Sequence, residues 1–216
     1  AQTSISQTLS NSTSNSIVVT YTVTASFGTA PNVCTDTFAI DVTVNPEPSI
    51  ADVVQTICSG DTFTVTPTNT APDVVPTGTT YTWTVAAQAG ITGASNQATA
   101  QTSISQTLTN ATSTSLSAIY TVTASVGTAP NICTDTFDIT VTVNPKPSIA
   151  DVTQAICTGN TFTVTPTNTA PDVVPTGTTY TWTVTTPAGI TGASNQATAQ
   201  TSISQTLSNS TSNSIV

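Results

Sequence analysis

Apolar and polar positions alternate with a period of two along most of this chain, in short runs broken by Gly, Pro, Asn and Asp. In the clearest run, 79–85, Tyr81, Trp83 and Val85 share one face while Thr82 and Thr84 share the other. A strand turns successive side chains to opposite faces, so such a run predicts a strand with one buried face. The same pattern predicts strands over 49–57 and over 62–66, the latter with Phe63 and Val65 inward. Further strands are predicted around Ile91 and over 102–108, where Ile104 and Gln106 oppose Ser103 and Ser105. The last two run over 118–125, with Tyr120, Val122 and Ala124 inward, and over 136–144, with Phe137, Ile139, Val141 and Val143 inward. About seven short strands separated by turns predict two packed sheets, an immunoglobulin-like β-sandwich.

The pattern repeats. Set against itself at an offset of 99, the chain matches at 80 of 99 positions without a gap, and Tyr21, Cys34, Cys58 and Trp83 fall on Tyr120, Cys133, Cys157 and Trp182. A repeat has no intrinsic start, so linker chemistry must supply the boundary. Proline lacks the ladder donor and fixes φ, which stops a strand, and paired prolines occur at Pro46 and Pro48 and again at Pro145 and Pro147. Residues 47–145 are therefore expected to form one complete sandwich. Residues 1–46 are read as the C-terminal part of a preceding one, and 146–216 as the N-terminal part of the next. Residues 199–216 reproduce residues 1–18 at all 18 positions, whereas 100–117 match only 13. That difference points to two domain variants alternating with a period of 198, in a chain cut from a longer array; recent duplication with uneven drift is the alternative.

Composition agrees with an all-β chain and removes most chemistry. Thr occurs 54 times among 216 residues, Leu four times and Met never. β-Branched side chains crowd a helix turn but fit a pleated sheet. Ten acidic residues face a single basic one, Lys146, with no Arg or His, for a net charge of −9. Nucleic acids and anionic membranes are bound through Lys and Arg, so neither is an expected partner. Without His there is no Ser-His triad and no general base poised near neutral pH. The carboxylates lie scattered, and no enzyme is expected. No apolar run is long enough to span a membrane.

Cys34, Cys58, Cys133 and Cys157 sit in no zinc-ligand spacing, so disulfides in an oxidising compartment are the simplest expectation. Two connections fit the spacing: Cys58 with Cys133 inside one unit, which is favoured, or Cys34 with Cys58 and Cys133 with Cys157 across the linkers. Trp83 and Trp182 read as core residues beside Tyr81 and Tyr120 rather than as a platform for sugars, because they share the apolar face of their strand. Asp52, Asp73, Asp151 and Asp172 are the only acids worth weighing as calcium ligands. Calcium wants six to eight oxygens, and single acids beside Thr and Pro more often terminate turns, so no cofactor is expected. Asn11, Asn110 and Asn209 each open an N-x-S/T pattern that reads as coincidence in so hydroxyl-rich a chain.

The phrases Ile57-Cys58-Ser59-Gly60-Asp61-Thr62-Phe63, Thr80-Tyr81-Thr82-Trp83-Thr84-Val85, Thr102-Ser103-Ile104-Ser105-Gln106-Thr107-Leu108 and Val141-Thr142-Val143-Asn144-Pro145-Lys146-Pro147 span the repeat. In them the unit resembles the PKD-like and immunoglobulin-like tandem repeats of giant surface adhesins in gliding bacteria of the Bacteroidota. The resemblance implies export to the cell surface, by the type IX route, and a stalk or adhesin role. A stiff structural spacer in an extracellular filament is the expected function, with neighbouring repeats of the same filament as partners. Two rivals stand beside it: a module that binds surface polysaccharide directly, and a subunit that assembles by strand exchange between partial domains.

Overall fold

A computed structural model describes residues 2–215, and among these every regular element is a strand. In chain order they are β1 (Ile17–Thr29), β2 (Asn32–Val44), β3 (Val53–Cys58), β4 (Thr62–Val65), β5 (Thr80–Ala87), β6 (Ile91–Thr92), β7 (Gln97–Gln101), β8 (Ile104–Thr107), β9 (Thr109–Asn110), β10 (Leu116–Thr128) and β11 (Asn131–Asn144). After them come β12 (Thr161–Val164), β13 (Tyr180–Trp182), β14 (Ile190–Thr191), β15 (Gln196–Gln200), β16 (Ile203–Thr206) and β17 (Ser208–Asn209).

Between Val53 and Asn144 the strands build the expected sandwich. One layer is a five-stranded sheet in the order β3-β11-β10-β5-β7; the other is made of the pairs β4-β8 and β6-β9. Phe63 and Val65 from β4, with Ile104 and Leu108, close onto Tyr81, Trp83, Tyr120, Val122, Phe137, Ile139, Val141 and Val143 of the larger sheet. Tyr120, Val122, Ile139, Val141 and Val143 are completely buried. Their alternation with exposed or half-exposed Thr and Asp is the sequence pattern realised in space. The rings of Phe63 and Tyr120 lie 5.0 Å apart between the layers, within the range of favourable aromatic pairing.

Several boundaries differ from the expectation for identifiable reasons. The first strand begins at Val53 rather than Ser49, because Ser49 instead bridges Val74 and the chain changes partner over the intervening residues. The run 102–108 keeps only β8 as strand, and β9 follows beyond it, separated by Leu108, whose N–H and C=O turn to Asp61 O and Gly60 N. β7, Gln-Ala-Thr-Ala-Gln, was not expected: it has no apolar alternation, and it pairs with β5 through a register shift between Tyr81 and Trp83. β10 and β11 run on past their apolar residues to meet in a tight hairpin. At its tip Gly127 has φ +99°, and a Cβ there would land on the carbonyl oxygen of Asn131.

Residues 17–44 form a separate antiparallel pair, β1-β2, in the same register as β10-β11. Residues 161–209 repeat the pairings of the middle segment, β12-β16, β13-β15 and β14-β17. Neither flank builds a closed core among the described residues. Phe38 is 49% exposed where its equivalent Phe137 is 3% exposed.

Candidate functional site: the junctions between units

β3 lies parallel to β11, pairing Val53 with Ile139 and Cys58 with Asn144. The first and last strands of the middle segment are therefore neighbours, and the chain enters at one pole and leaves at the opposite one. These poles meet the adjoining units.

At the C-terminal pole the Cys58–Asp61 turn is fixed to its surroundings by backbone groups. Ser59 N donates to Asn144 O at 2.8 Å, Gly60 N to Leu108 O at 2.8 Å, and Asp61 N to Cys58 O at 3.0 Å. Asn110, 5% exposed, anchors the loop ahead of β10: its Nδ2 donates to Thr114 O and to Val143 O, both at 2.8 Å, while Oδ1 accepts from Thr112 N. Asn11 and Asn209 make the corresponding bonds to Asn15 O and Asn213 O. The N-x-S/T asparagines thus have an internal structural job, which the tripeptide pattern did not reveal.

Carboxylates organise the N-terminal pole. Asp73 Oδ1 accepts from Ala51 N at 3.0 Å, Asp135 Oδ2 from Ile50 N at 3.0 Å, and Asp52 Oδ1 from Asp138 N at 2.8 Å. Asp172 accepts from Ala150 N at 2.8 Å in the next unit. These bonds tie the chain just after the linker to the hairpin and to the loop preceding β5. Among the described residues no three His, Cys, Asp or Glu side chains gather as metal ligands would.

Between the first two units lies a cavity of about 410 Å³, lined on one side by residues 14–16 and 45–46 and on the other by 76–78 and 126–128. Pro46 and Pro48 are buried here. At the second junction Pro145 is half-buried and Pro147 exposed. At the first junction the tip of the β10-β11 hairpin, 126–128, lies across this cavity from Pro46. Across the second junction Asn168 Nδ2 donates to Ser113 Oγ at 2.8 Å.

Trp83 and Tyr81 are buried, and Trp83 Nε1 donates to Ser95 O at 3.1 Å; Trp182, half-buried, donates to Ser194 O at the same distance. All four thiols are unpaired. The favoured bond inside one unit does not fit this fold. Cys133 pairs with Val126 near the hairpin tip, whereas Cys58 pairs with Asn144, eleven residues further along β11, about 36 Å at strand rise. A disulfide needs Cα atoms within about 7 Å. The connection across the linker fares no better: Cys34 sits beside Phe27, ten residues back from the linker end of β2, while Cys58 lies at the far pole of the next unit.

A two-layer, all-β sandwich whose first and last strands run side by side, repeated along the chain, defines an immunoglobulin-like tandem module. Residues 55–147 and 154–216 match the model of the PKD-like domain family, and the chain belongs to that family. Its members are typically extracellular, non-catalytic modules of adhesion or structure. No curated protein matches the chain. Among the described residues no helix is long and apolar enough to cross a membrane.

Proposed function

We propose that this chain is a stretch of the shaft of an extracellular filament or adhesin, in which each 99-residue unit is a load-bearing, stiff spacer. The observation that carries the reading is the parallel pairing of β3 with β11. Tension applied through the linkers pulls the start of β3 one way and the end of β11 the other. It loads the six paired residues of that ladder in shear, all at once, rather than opening them one after another. The buried Pro46 and Pro48, the first lying across a cavity from the hairpin tip, limit bending at the junction. The unit boundaries at Pro46–Pro48 and Pro145–Pro147, with one complete sandwich over 47–145, belong to this proposal.

The surface is charge-poor and rich in Thr hydroxyls, paired across strands as in Thr62 with Thr107 and Thr64 with Ser105, so it is wetted without attracting polyanions. The resemblance to gliding-motility adhesins of Bacteroidota supports a cell-surface shaft whose partners are neighbouring repeats of its own filament. Single-molecule stretching of the native protein in reductant tests the reading. Regular steps of about 300 Å are expected, one unit's 99 residues less its folded length. A smooth extension curve would refute it.

A further inference from the structure

Four residues, Ser49–Asp52, join the linker to β3, and tension arriving through Pro48 meets this strap before it meets the β3-β11 ladder. Two sides hold it in turn. Ser49 exchanges backbone bonds with Val74, donating at 2.9 Å and accepting at 2.8 Å, and Ala51 N donates to Asp73 Oδ1 at 3.0 Å, so these two residues are tied to the loop ahead of β5. Ile50 N donates to Asp135 Oδ2 at 3.0 Å, and Asp52 Oδ1 accepts from Asp138 N at 2.8 Å, so the other two are tied to β11. Val53 then opens the ladder opposite Ile139. Carboxylates thus continue the attachment to β11 over residues that form no ladder with it, and Ile50 is part of the buried core.

The repeat singles out the same three carboxylates. Asp52 and Asp73 recur as Asp151 and Asp172, and Asp135 stands where the earlier copy has Asp36. Every other acid changes between copies: Asp41 becomes Thr140, Glu47 becomes Lys146, Asp61 becomes Asn160, and Asp138 replaces Ala39. Asp138 is no exception to the pattern, because it gives the strap only its backbone N–H. Six of the ten acidic residues therefore occupy three strap positions, in a chain of which only 5% is charged. Solubility would be served by an acid anywhere on the surface; a task done by the side chain holds it to one position.

We infer that Asp52, Asp73 and Asp135 are load-bearing residues, a carboxylate clamp on the incoming strap that sets how fast a unit unfolds under tension. The inference rests on the shaft reading above. An N–H bond to a carboxylate is roughly twice as strong as one to a neutral acceptor, and drawing Ser49 out toward the linker loads the bonds on both sides together. Asp73 passes that load to the loop ahead of β5 and Asp135 passes it to β11, so two parts of the unit resist before the ladder does. At equilibrium the clamp counts for less, since Ala51 and Asp52 are exposed and water takes over their bonds once the strap has opened. Its signature is a large effect on unfolding under load beside a small one on stability.

Stretching the 216-residue chain from its ends at constant force tests the clamp, with unfolding of the closed middle unit read as a step of about 300 Å. Asp73→Ala and Asp135→Ala should each raise the rate of that step about tenfold, through loss of one bond to a charged acceptor. Asp135→Asn, which keeps an acceptor oxygen, should recover most of the original rate. Asp52→Ala, which frees only Asp138 N, takes the place of either alanine variant that fails to fold. Val65→Ala is the comparison, a core residue of β4 away from the strap: it should lose more stability in urea than the clamp variants yet raise the rate under force less. Rates that simply follow the urea stabilities, with Val65→Ala the fastest, would overturn the clamp. So would a clear step whose rate the Asp variants leave unchanged, and that result would leave the shaft reading in place. A smooth extension of the unaltered chain would remove both, and so the two failures are distinguishable.

Discussion

Asn110, itself buried, makes four side-chain hydrogen bonds, to Thr114 O, Val143 O, Thr112 N and Thr112 Oγ, of which the one to Val143 O is buried. Asn110→Ala takes a partner from Val143 O and from Thr112 N at once, while Thr114 O keeps its bond from Thr112 Oγ1, and each unsatisfied buried group costs about 1–3 kcal/mol. A loss of about 2–4 kcal/mol is expected in urea unfolding of the chain, against less than about 1 kcal/mol for Asn209→Ala, whose more exposed loop makes the same local bonds without one to a strand carbonyl. Equal losses would show that the local loop bonds, not the buried bond to Val143 O, set the cost. Tyr120 supplies the second residue-scale prediction. Its hydroxyl bonds Gln106 Oε1 at 2.8 Å, and burial raises its pKa from 10.0 to about 12. The folded state holds the proton more tightly than the unfolded one. The stability from this group is therefore complete below about pH 10 and lost as pH rises from there through 12. Tyr120→Phe should remove that part of the alkaline decline when unfolding free energies are compared at pH 8 and pH 11. The period-two pattern made Tyr120, Val122 and Trp83 legible as inward residues. Asn110 escaped it, because a buried amide in a loop leaves no periodic signal.

Among the elements, the hairpin β10-β11 has the most to do: it supplies much of the core, pairs with β3 in parallel, and faces the incoming linker with its tip. Gly127 permits that tip. Gly127→Ala must either leave φ +99° or displace the Asn131 carbonyl, and a loss of about 1–3 kcal/mol is expected. Because the tip faces Pro46, the variant should also loosen the junction. Small-angle scattering should then show a broader distribution of lengths for the chain while the Trp83 fluorescence of the folded unit is unchanged; an unaltered distribution would deny the tip its role at the linker. Alternating apolar residues announced β10 and β11 but not their length, since beyond Tyr81's level Thr, Ser, Gly and Asn dominate and the apolar Ile132 is exposed rather than turned to a core. β7 stayed hidden for a similar reason. Its five residues are held by pairing with β5, and nothing in Gln-Ala-Thr-Ala-Gln distinguishes that from a loop.

On the scale of the whole molecule, the period of 99 located equivalent residues in each unit, but it could not say how one unit faces the next. Sequence spacing therefore favoured a disulfide that the topology forbids: it counts residues between Cys58 and Cys133 and is blind to their placement at opposite poles. What the topology does fix is a contrast within the chain. Between Ile50 and Val143 the two layers close on a continuous buried core, whereas the outer segments present the same side chains half-covered. In the third unit, Phe162, Val164 and Leu207 line a groove of about 210 Å³ on the face that β10-β11 covers in the middle unit. Burial of apolar surface is the main source of cooperative stability, and local opening follows its absence. Hydrogen exchange of the dilute chain should accordingly show strong protection for the amides of β3, β5, β10 and β11, opening together in one transition, and weak protection in β1, β2 and β12–β17. If protection over 161–209 instead rises with concentration, the β1-β2 hairpin of a second copy is occupying the groove, in the register that β10 and β11 use. Strand exchange would then stand beside the continuous shaft as a route to assembly. Uniform protection across all three segments at low concentration would contradict the division of the chain into one closed unit and two open ones.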